Sequence, residues 1–240
     1  STTLDKVHIS SPFLTDEKLY ISCFAYDRSL PRNQQRGQLF CLDMKTGNIL
    51  WKLDVSPGFL SSPVGFRLNG RLHIAIAARR GLLQCFDVSG EVPRRVWSFQ
   101  MPHEVLGSPV VTTDTSPALL FLGSKYGNLI AINAQTGEEI WQQMAGNWID
   151  NTACIGEIDG QKVVYVGSHD YRIYAFDAKT GKTLWKRAVG GEVYSAPCFF
   201  QLHERGLVAV ASLDNHLYVL DAKSGEIITS FFTGQPIWDK

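Results

Sequence analysis

Apolar and polar residues alternate in short runs along the whole chain, and turn residues separate these runs. Runs such as KLYISCF, RLHIAIA, KVVYVGS and GLVAVAS have the two-residue period, or the continuous apolar character, of β-strands in a buried sheet. No segment keeps the 3.6-residue period of an amphipathic helix over a useful length. The pattern therefore predicts an all-β protein.

The runs recur in a fixed order, so the chain contains an internal repeat. The stretch AFDAKTGKTLWKR at 175–187 closely matches CLDMKTGNILWKL at 41–53, and three further copies keep the same landmarks. An Asp or Asn recurs in the motif at spacings of 44, 46, 44 and 44 residues, at Asp43, Asp87, Asn133, Asp177 and Asp221. A period near 44 residues with four short strands is typical of a β-propeller blade.

The repeat sets the expected organisation. We expect one domain over residues 1–240, with blades at approximately 7–55, 58–101, 104–145, 148–189 and 192–233. The favoured interpretation is a ring closed by five blades, and the alternative is an arc of a larger ring.

Two positions of the motif have structural explanations. A Thr-Gly or Ser-Gly pair before the fourth strand predicts a turn residue with positive φ at Gly47, Gly90, Gly137, Gly181 and Gly225. The preceding Asp can accept hydrogen bonds from the turn, and Asn133 can do the same. We therefore interpret these carboxylates as turn-forming and not catalytic.

The motif tryptophans begin the fourth strand. An indole buries about 150–250 Å², and a single blade is too thin to cover both of its faces. We expect each indole to pack against a neighbouring blade, at Trp51, Trp97, Trp141 and Trp185. The fifth copy has Thr229 at this position, and the second copy carries an insertion in SGEVPRRVW.

Composition narrows the class of protein. Lys and Arg together number 23, as do Asp and Glu, so the net charge is zero and a nucleic-acid partner is not expected. The sequence contains no apolar run long enough to predict a transmembrane helix. The five cysteines do not have the spacing of a metal site, and other copies of the repeat have small apolar residues at the same positions, so we expect the cysteines to be buried. Free buried thiols favour a cytoplasmic location, and a periplasmic location is the alternative.

The motif AxDxxTGxxxW with an upstream Ser-Pro strand resembles the PQQ-like β-propeller repeat over essentially the whole chain. Relatives of this family include quinoprotein dehydrogenases, an outer-membrane β-barrel assembly lipoprotein, lumenal sensors of unfolded protein, and propellers attached to amino-acid-activating enzymes. The resemblance implies a fold more than an activity, because the motif residues are structural. The dehydrogenases hold PQQ beside a disulfide of adjacent cysteines, which this sequence lacks, so we expect no cofactor and no bound metal.

Candidate binding residues follow from propeller geometry. The connection into the first strand and the loop between the second and third strands share one face, and such loops carry function on rigid scaffolds. On this face we place Arg79, Arg80, Tyr126, Trp148, Asp150, Asn151, His169, Asp170, Tyr171, Tyr194, Asp214 and Asn215. The alternative is that Trp148 fills the channel and that the polar residues form solvated turns.

The sequence favours a non-catalytic scaffold that binds an unidentified protein or peptide, because it contains no catalytic motif beside a complete structural repeat. One alternative is a quinone- or small-molecule-binding oxidoreductase related to PQQ-dependent dehydrogenases. Another is a periplasmic scaffold for outer-membrane assembly.

Overall fold

A computed structural model describes residues 7–25, 37–55, 61–112 and 114–235, and every regular element in these ranges is a β-strand. The long polar loop of the first copy, at 26–36, lies outside the described residues. The strands are β1 (Val7–Ile9), β2 (Phe13–Leu14), β3 (Lys18–Ala25), β4 (Gly37–Asp43), β5 (Ile49–Val55), β6 (Val64–Leu68), β7 (Arg71–Ala77), β8 (Leu82–Asp87), β9 (Arg94–Gln100), β10 (Val110–Val111), β11 (Leu119–Gly123), β12 (Asn128–Asn133), β13 (Glu139–Met144), β14 (Cys154–Ile158), β15 (Gln161–Ser168), β16 (Arg172–Asp177), β17 (Thr183–Ala188), β18 (Cys198–Leu202), β19 (Arg205–Ser212), β20 (His216–Asp221) and β21 (Ile227–Phe232).

The strands form five antiparallel sheets in chain order, and each sheet is a meander. The second to fifth sheets are β6–β9, β10–β13, β14–β17 and β18–β21. In the first sheet, β1 and β2 both pair with β3, so its first strand is interrupted between residues 9 and 13. The all-β prediction with five repeated sheets is confirmed, and whether the sheets close into a ring stays a prediction.

The sheets belong to two compact units. The first unit is Ser1–Pro109 with Gln135–Gly137 and contains the first two sheets. The second unit is Val110–Ala134 with Glu138–Lys240 and contains the other three. Each unit has its own apolar core, which includes Tyr20, Leu39 and Ile74 in the first unit and Phe121, Val164 and Phe176 in the second.

The turns before the fourth strands follow the motif closely. In the fourth sheet, Asp177 Oδ1 accepts hydrogen bonds from the Thr180 backbone N–H and hydroxyl, both at 2.6 Å. Asp43 and Asp221 make the same contacts in their sheets. Burial works against the low pKa of Asp177, but the Thr180 hydroxyl and N–H lower it on balance. These carboxylates stabilise turns.

One turn differs from the prediction. Four motif glycines have positive φ, between +70° and +78°, at Gly47, Gly137, Gly181 and Gly225. Gly90 does not, so the prediction for this residue was wrong. The physical reason is the insertion in the second copy, which lengthens the chain between Asp87 and Trp97 and removes the need for a left-handed residue.

The structure places three motif indoles on the next turn in sequence. A Cβ on Gly137, Gly181 or Gly225 would lie 2.7, 2.7 or 2.5 Å from the ring of Trp97, Trp141 or Trp185, respectively. Two of the rings also donate a hydrogen bond from Nε1, Trp141 to the Ala178 carbonyl at 2.9 Å and Trp185 to the Ala222 carbonyl at 3.0 Å. Each of these indoles therefore packs directly against the turn glycine of the next sheet.

The cysteine prediction is correct for three of the five thiols. Cys23, Cys41 and Cys85 are buried, but Cys154 is half-buried and Cys198 is exposed. Cys154 lies against the fifth sheet, where its sulfur accepts a hydrogen bond from the Phe199 backbone N–H at 3.1 Å. Cys198 holds the equivalent position in the fifth sheet and is exposed.

Candidate functional site

In the fourth and fifth sheets, the connection into the sheet lies against the turn between that sheet's second and third strands. In the fourth sheet the His169 N–H donates to the Trp148 carbonyl at 3.0 Å. In the fifth, the Leu213 N–H donates to the Glu192 carbonyl at 2.9 Å. The two loop types that the sequence placed on one face therefore contact each other directly in the second unit.

Four side chains from these loops form a cluster around His169, which we call the loop-end cluster: Lys125, Trp148, Asp150 and Tyr194 together with His169 itself. The His169 ring centroid lies 5.5 Å from that of Trp148 and 4.0 Å from that of Tyr194. The Lys125 ammonium lies 4.7 Å from the Trp148 ring centroid, which is a cation–π distance. Trp148 itself is 38% exposed, so one part of the cluster faces solvent.

Asp150 orients the central histidine. Its Oδ1 lies 2.8 Å from His169 Nε2, and both side chains are largely buried. Burial, a hydrogen bond with Glu192 and the charges of Glu192 and Asp150 raise the pKa of Tyr194 to about 12. The Tyr194 hydroxyl therefore stays protonated at neutral pH.

Three of the predicted binding residues tie the scaffold together. Asp170 Oδ2 accepts hydrogen bonds from the Gly146 N–H at 2.9 Å and from the Tyr174 hydroxyl. Asp214 accepts the Gly190 N–H at 2.8 Å in the equivalent place in the fifth sheet. The Asn151 amide is buried and donates to two backbone carbonyls, at 3.0 and 3.1 Å. These contacts fix the loops on which the cluster is built.

Three further predicted residues have backbone conformations that side chains rarely adopt. Tyr126, Tyr171 and Asn215 have φ of +78°, +67° and +68° in the turns between second and third strands. Gly81 and Gly127, with φ of +85° and +84°, hold the position of Tyr171 and Asn215 in the second and third sheets, and Tyr126 directly precedes Gly127. A non-glycine residue there costs roughly 1–2 kcal/mol. Tyr126 and Tyr171 are also 66% and 50% exposed, so strained turns present two aromatic rings to solvent.

Arg79 and Arg80 occupy the equivalent turn in the first unit. Both are exposed, and Arg79 Nε lies 3.8 Å from Glu104 Oε2. Arg79 and Arg80 belong to the first unit, and neither residue is part of the loop-end cluster, which belongs to the second unit.

Sequence reasoning missed Lys125. This residue follows Ser124 in the third sheet as His169 follows Ser168 in the fourth, so it occupies the repeat position that supplies the cluster's histidine. Aligning the turns by this serine would have selected it.

The described residues contain no helix long and apolar enough to cross a membrane. They also contain no group of three His, Cys, Asp or Glu side chains arranged to hold a metal ion.

The repeated four-stranded antiparallel sheets define the chain as a β-propeller protein. A family described as outer membrane protein assembly factor BamB matches residues 23–147 and 150–231, so the chain belongs to this family of PQQ-like repeat propellers.

Two solved structures share the fold. BamB from Moraxella catarrhalis has a TM-score of 0.63 and 17% sequence identity over 92% of this chain. The computationally designed Ika8 protein has a TM-score of 0.71 and 13% identity over 95% of this chain. At these identities the likeness shows the fold alone. This chain covers 63% of each of the two structures.

A curated relative is the tetrathionate hydrolase of Acidithiobacillus ferrooxidans, which is 24% identical over 145 residues. That match covers 48% of this chain and 26% of the relative. The chain therefore spans about a quarter of the length of this relative.

Proposed function

We propose that the chain is a non-catalytic interaction module that presents the loop-end cluster to a protein or peptide partner. The observation that carries the proposal is Trp148, which is 38% exposed and held in place by Lys125 and His169. Exposed tryptophan and tyrosine on a rigid support are the residues that most often anchor protein partners. Membership of a family described as an assembly factor supports a scaffold role.

The Asp150–His169 pair has the arrangement of a general base and its orienting carboxylate. In this chain the histidine is only 6% exposed, and the rings of Trp148 and Tyr194 cover it. A substrate proton would have no direct path to the imidazole. We therefore assign the pair to positioning Trp148 and Tyr194, in preference to hydrolytic chemistry.

The partner's chemistry follows from the cluster's surface. An indole backed by a lysine ammonium offers an apolar face with a cation beside it. Such a surface favours an apolar or aromatic side chain next to an acidic one. The family description names an outer-membrane protein and gives no support to a cytoplasmic location, so we propose the periplasmic alternative, which fractionation of cells expressing the full-length protein would test.

The test compares Trp148→Ala with Leu202→Ala, which alters an exposed apolar residue outside the loop-end cluster. Proteins retained from a lysate of the source cells would be identified for the wild type and both variants, and binding would then be measured with each purified candidate. We expect at least one partner that binds the wild type and Leu202→Ala but binds Trp148→Ala at least tenfold more weakly. Equal affinities for all three proteins would reject the loop-end cluster as the binding surface.

A further inference from the structure

We call the interface between two consecutive sheets a seam. The seam between the first and second sheets differs from the other seams that contain a motif tryptophan. Tyr20 pairs with Cys41, which in turn pairs with Trp51. In the fourth sheet, Tyr165 pairs with Ala175, which pairs with Trp185. Tyr20 and Tyr165 are therefore equivalent residues, each pointing from the second strand of its sheet towards the next sheet.

The two tyrosine hydroxyls have different surroundings. Tyr165 donates to the Ala222 carbonyl at 3.1 Å, and the Trp185 indole donates to the same oxygen. Tyr20 is 0% exposed, and its hydroxyl has no hydrogen-bond partner among the described residues. The thiol of Cys41 is close enough to perturb it, but sulfur is a weak acceptor. A buried donor left without an acceptor costs about 1–3 kcal/mol.

The first seam also has larger side chains opposite the tyrosine. Leu72 and Val88 occupy the places of Gly206 and Ala222, as the matching backbone hydrogen bonds show. A Cβ on Gly206 would lie 2.4 Å from Ile158 Cδ1, so the Ile158 side chain fills the space beside this glycine at the fourth–fifth seam. Leucine and valine are bulkier than glycine and alanine, and the Tyr20 hydroxyl makes no hydrogen bond like the one from Tyr165 to the Ala222 carbonyl.

The gap at the first seam is a cleft of about 340 Å³. Its walls include Thr15, Lys18, Tyr20, Arg67 and Ser89. The corresponding cleft at the fourth–fifth seam has about 170 Å³, and Lys223 and Asp159, which line it, form an ion pair at 2.7 Å. The first cleft lies at the opposite end of the strands from the turns that carry the predicted binding residues.

Two cations, Lys18 and Arg67, line the first cleft beside Tyr20. Burial and Cys41 raise the pKa of Tyr20, so its hydroxyl stays a donor, while the positive charge of Arg67 acts in the opposite direction. The positive charge of Lys18 similarly acts to lower the pKa of Cys41. One guanidinium nitrogen of Arg67 donates to the Gly70 carbonyl at 3.1 Å, and its other donors remain available for a ligand. Two acidic residues, Asp16 and Glu17, also line the cleft, and both are exposed, as is Arg67.

We infer that this cleft binds a carboxylate, which accepts a hydrogen bond from the Tyr20 hydroxyl and pairs with Arg67 and Lys18. An ionised acceptor makes the strongest hydrogen bond available to a neutral phenol, and guanidinium matches the planar carboxylate geometry. The carboxylate can belong to a small free acid or to the C-terminus of a peptide. The inference is independent of the loop-end cluster and does not rest on the proposed function.

The test is titration of the protein with acetate, with N-acetyl-trialanine and with the C-terminal amide of the same peptide, followed by amide chemical shifts in NMR spectra. We expect saturable binding of one or both acids and at least tenfold weaker binding of the amide. Tighter binding of the peptide acid than of acetate identifies a peptide C-terminus as the ligand, and similar binding of both identifies a free carboxylate. Failure of both acids to bind, or equal binding of the amide, would overturn the inference.

Two matched variants locate the binding. Tyr20→Phe removes only the hydroxyl and should weaken carboxylate binding at least tenfold, or about 1.4 kcal/mol. Tyr165→Phe makes the same change at the closed seam and should leave the affinity unchanged. An unchanged affinity in Tyr20→Phe, with the protein folded as judged by its amide spectrum, would contradict the assignment to this cleft.

Discussion

The first–second and fourth–fifth seams are built from the same repeat but differ in how completely they are closed. At the fourth–fifth seam, Trp185 and Tyr165 donate to one carbonyl, and the indole rests on Gly225. At the first–second seam, Trp51 makes no equivalent hydrogen bond with the described residues, and Gly90 has no side chain packed on it. The comparison teaches that the motif alone does not close a seam. Closure also needs small residues opposite the aromatic rings.

The largest expected difference between the seams is in the tryptophans. Trp185→Ala removes an indole, its packing on Gly225 and a hydrogen bond, so we expect it to lower the free energy of unfolding by about 3–5 kcal/mol. Trp51→Ala removes packing against Tyr20 but no such hydrogen bond, and should cost at least about 1 kcal/mol less. Urea denaturation followed by circular dichroism measures both. Equal losses would show that the two seams are closed alike.

The turn glycines should separate the seams next. Gly225 has φ of +71°, and a Cβ there would lie 2.5 Å from the Trp185 ring. We expect Gly225→Ala to cost about 2–4 kcal/mol from backbone strain and overlap. Gly90 has neither constraint, and Gly90→Ala should change stability by less than about 1 kcal/mol, with a gain more expected than a loss. A costly Gly90→Ala would mean that the inserted turn is packed as tightly as the others.

A smaller effect concerns the turn carboxylate at the closed seam. Asp221 is partly buried, which raises its pKa, but Arg205 and Ser224 lower it below the usual range on balance. A carboxyl with a lowered pKa stabilises the fold at pH values above its pKa in the unfolded chain, which is about 3.9. This stabilisation is lost as the pH falls through the lower pKa of the folded state. We expect Asp221→Asn to cost about 1–2 kcal/mol at pH 7. The difference from wild type should shrink in denaturation curves at pH 3, and a constant difference would contradict the assignment.

The sequence predicted the sheets accurately because the repeat constrains them five times over. The period, the turn glycines and the indoles all point to the same four-stranded unit. The predictions for Gly90 and Cys198 were wrong because each residue depends on a feature that is present in only one copy of the repeat. An insertion lengthens the Gly90 turn, and Cys198 is exposed although Cys154, at the equivalent position, packs against the following sheet.

The candidate site was predicted less completely than the fold. Trp148 stood out because it lies outside the motif, and the loop geometry correctly grouped it with His169. Asp170 and Asn151 were selected as polar loop residues, but their side chains make hydrogen bonds within the scaffold, to backbone groups and, for Asp170, also to the Tyr174 hydroxyl. No pattern of polarity reveals this. The cleft beside Tyr20 was not predicted from the sequence, because the residues that line it, such as Leu72 and Val88, belong to no motif.

The most direct test of the contrast between the seams is the pair of hydroxyl deletions, measured as free energies of unfolding without added ligand. Tyr165→Phe removes a satisfied hydrogen bond and should destabilise the protein by about 1 kcal/mol. Tyr20→Phe removes a buried donor without an acceptor and should leave stability unchanged or raise it by up to about 1 kcal/mol. A loss of about 1 kcal/mol or more in Tyr20→Phe would show that its hydroxyl is satisfied in the fold, and would contradict an open first seam.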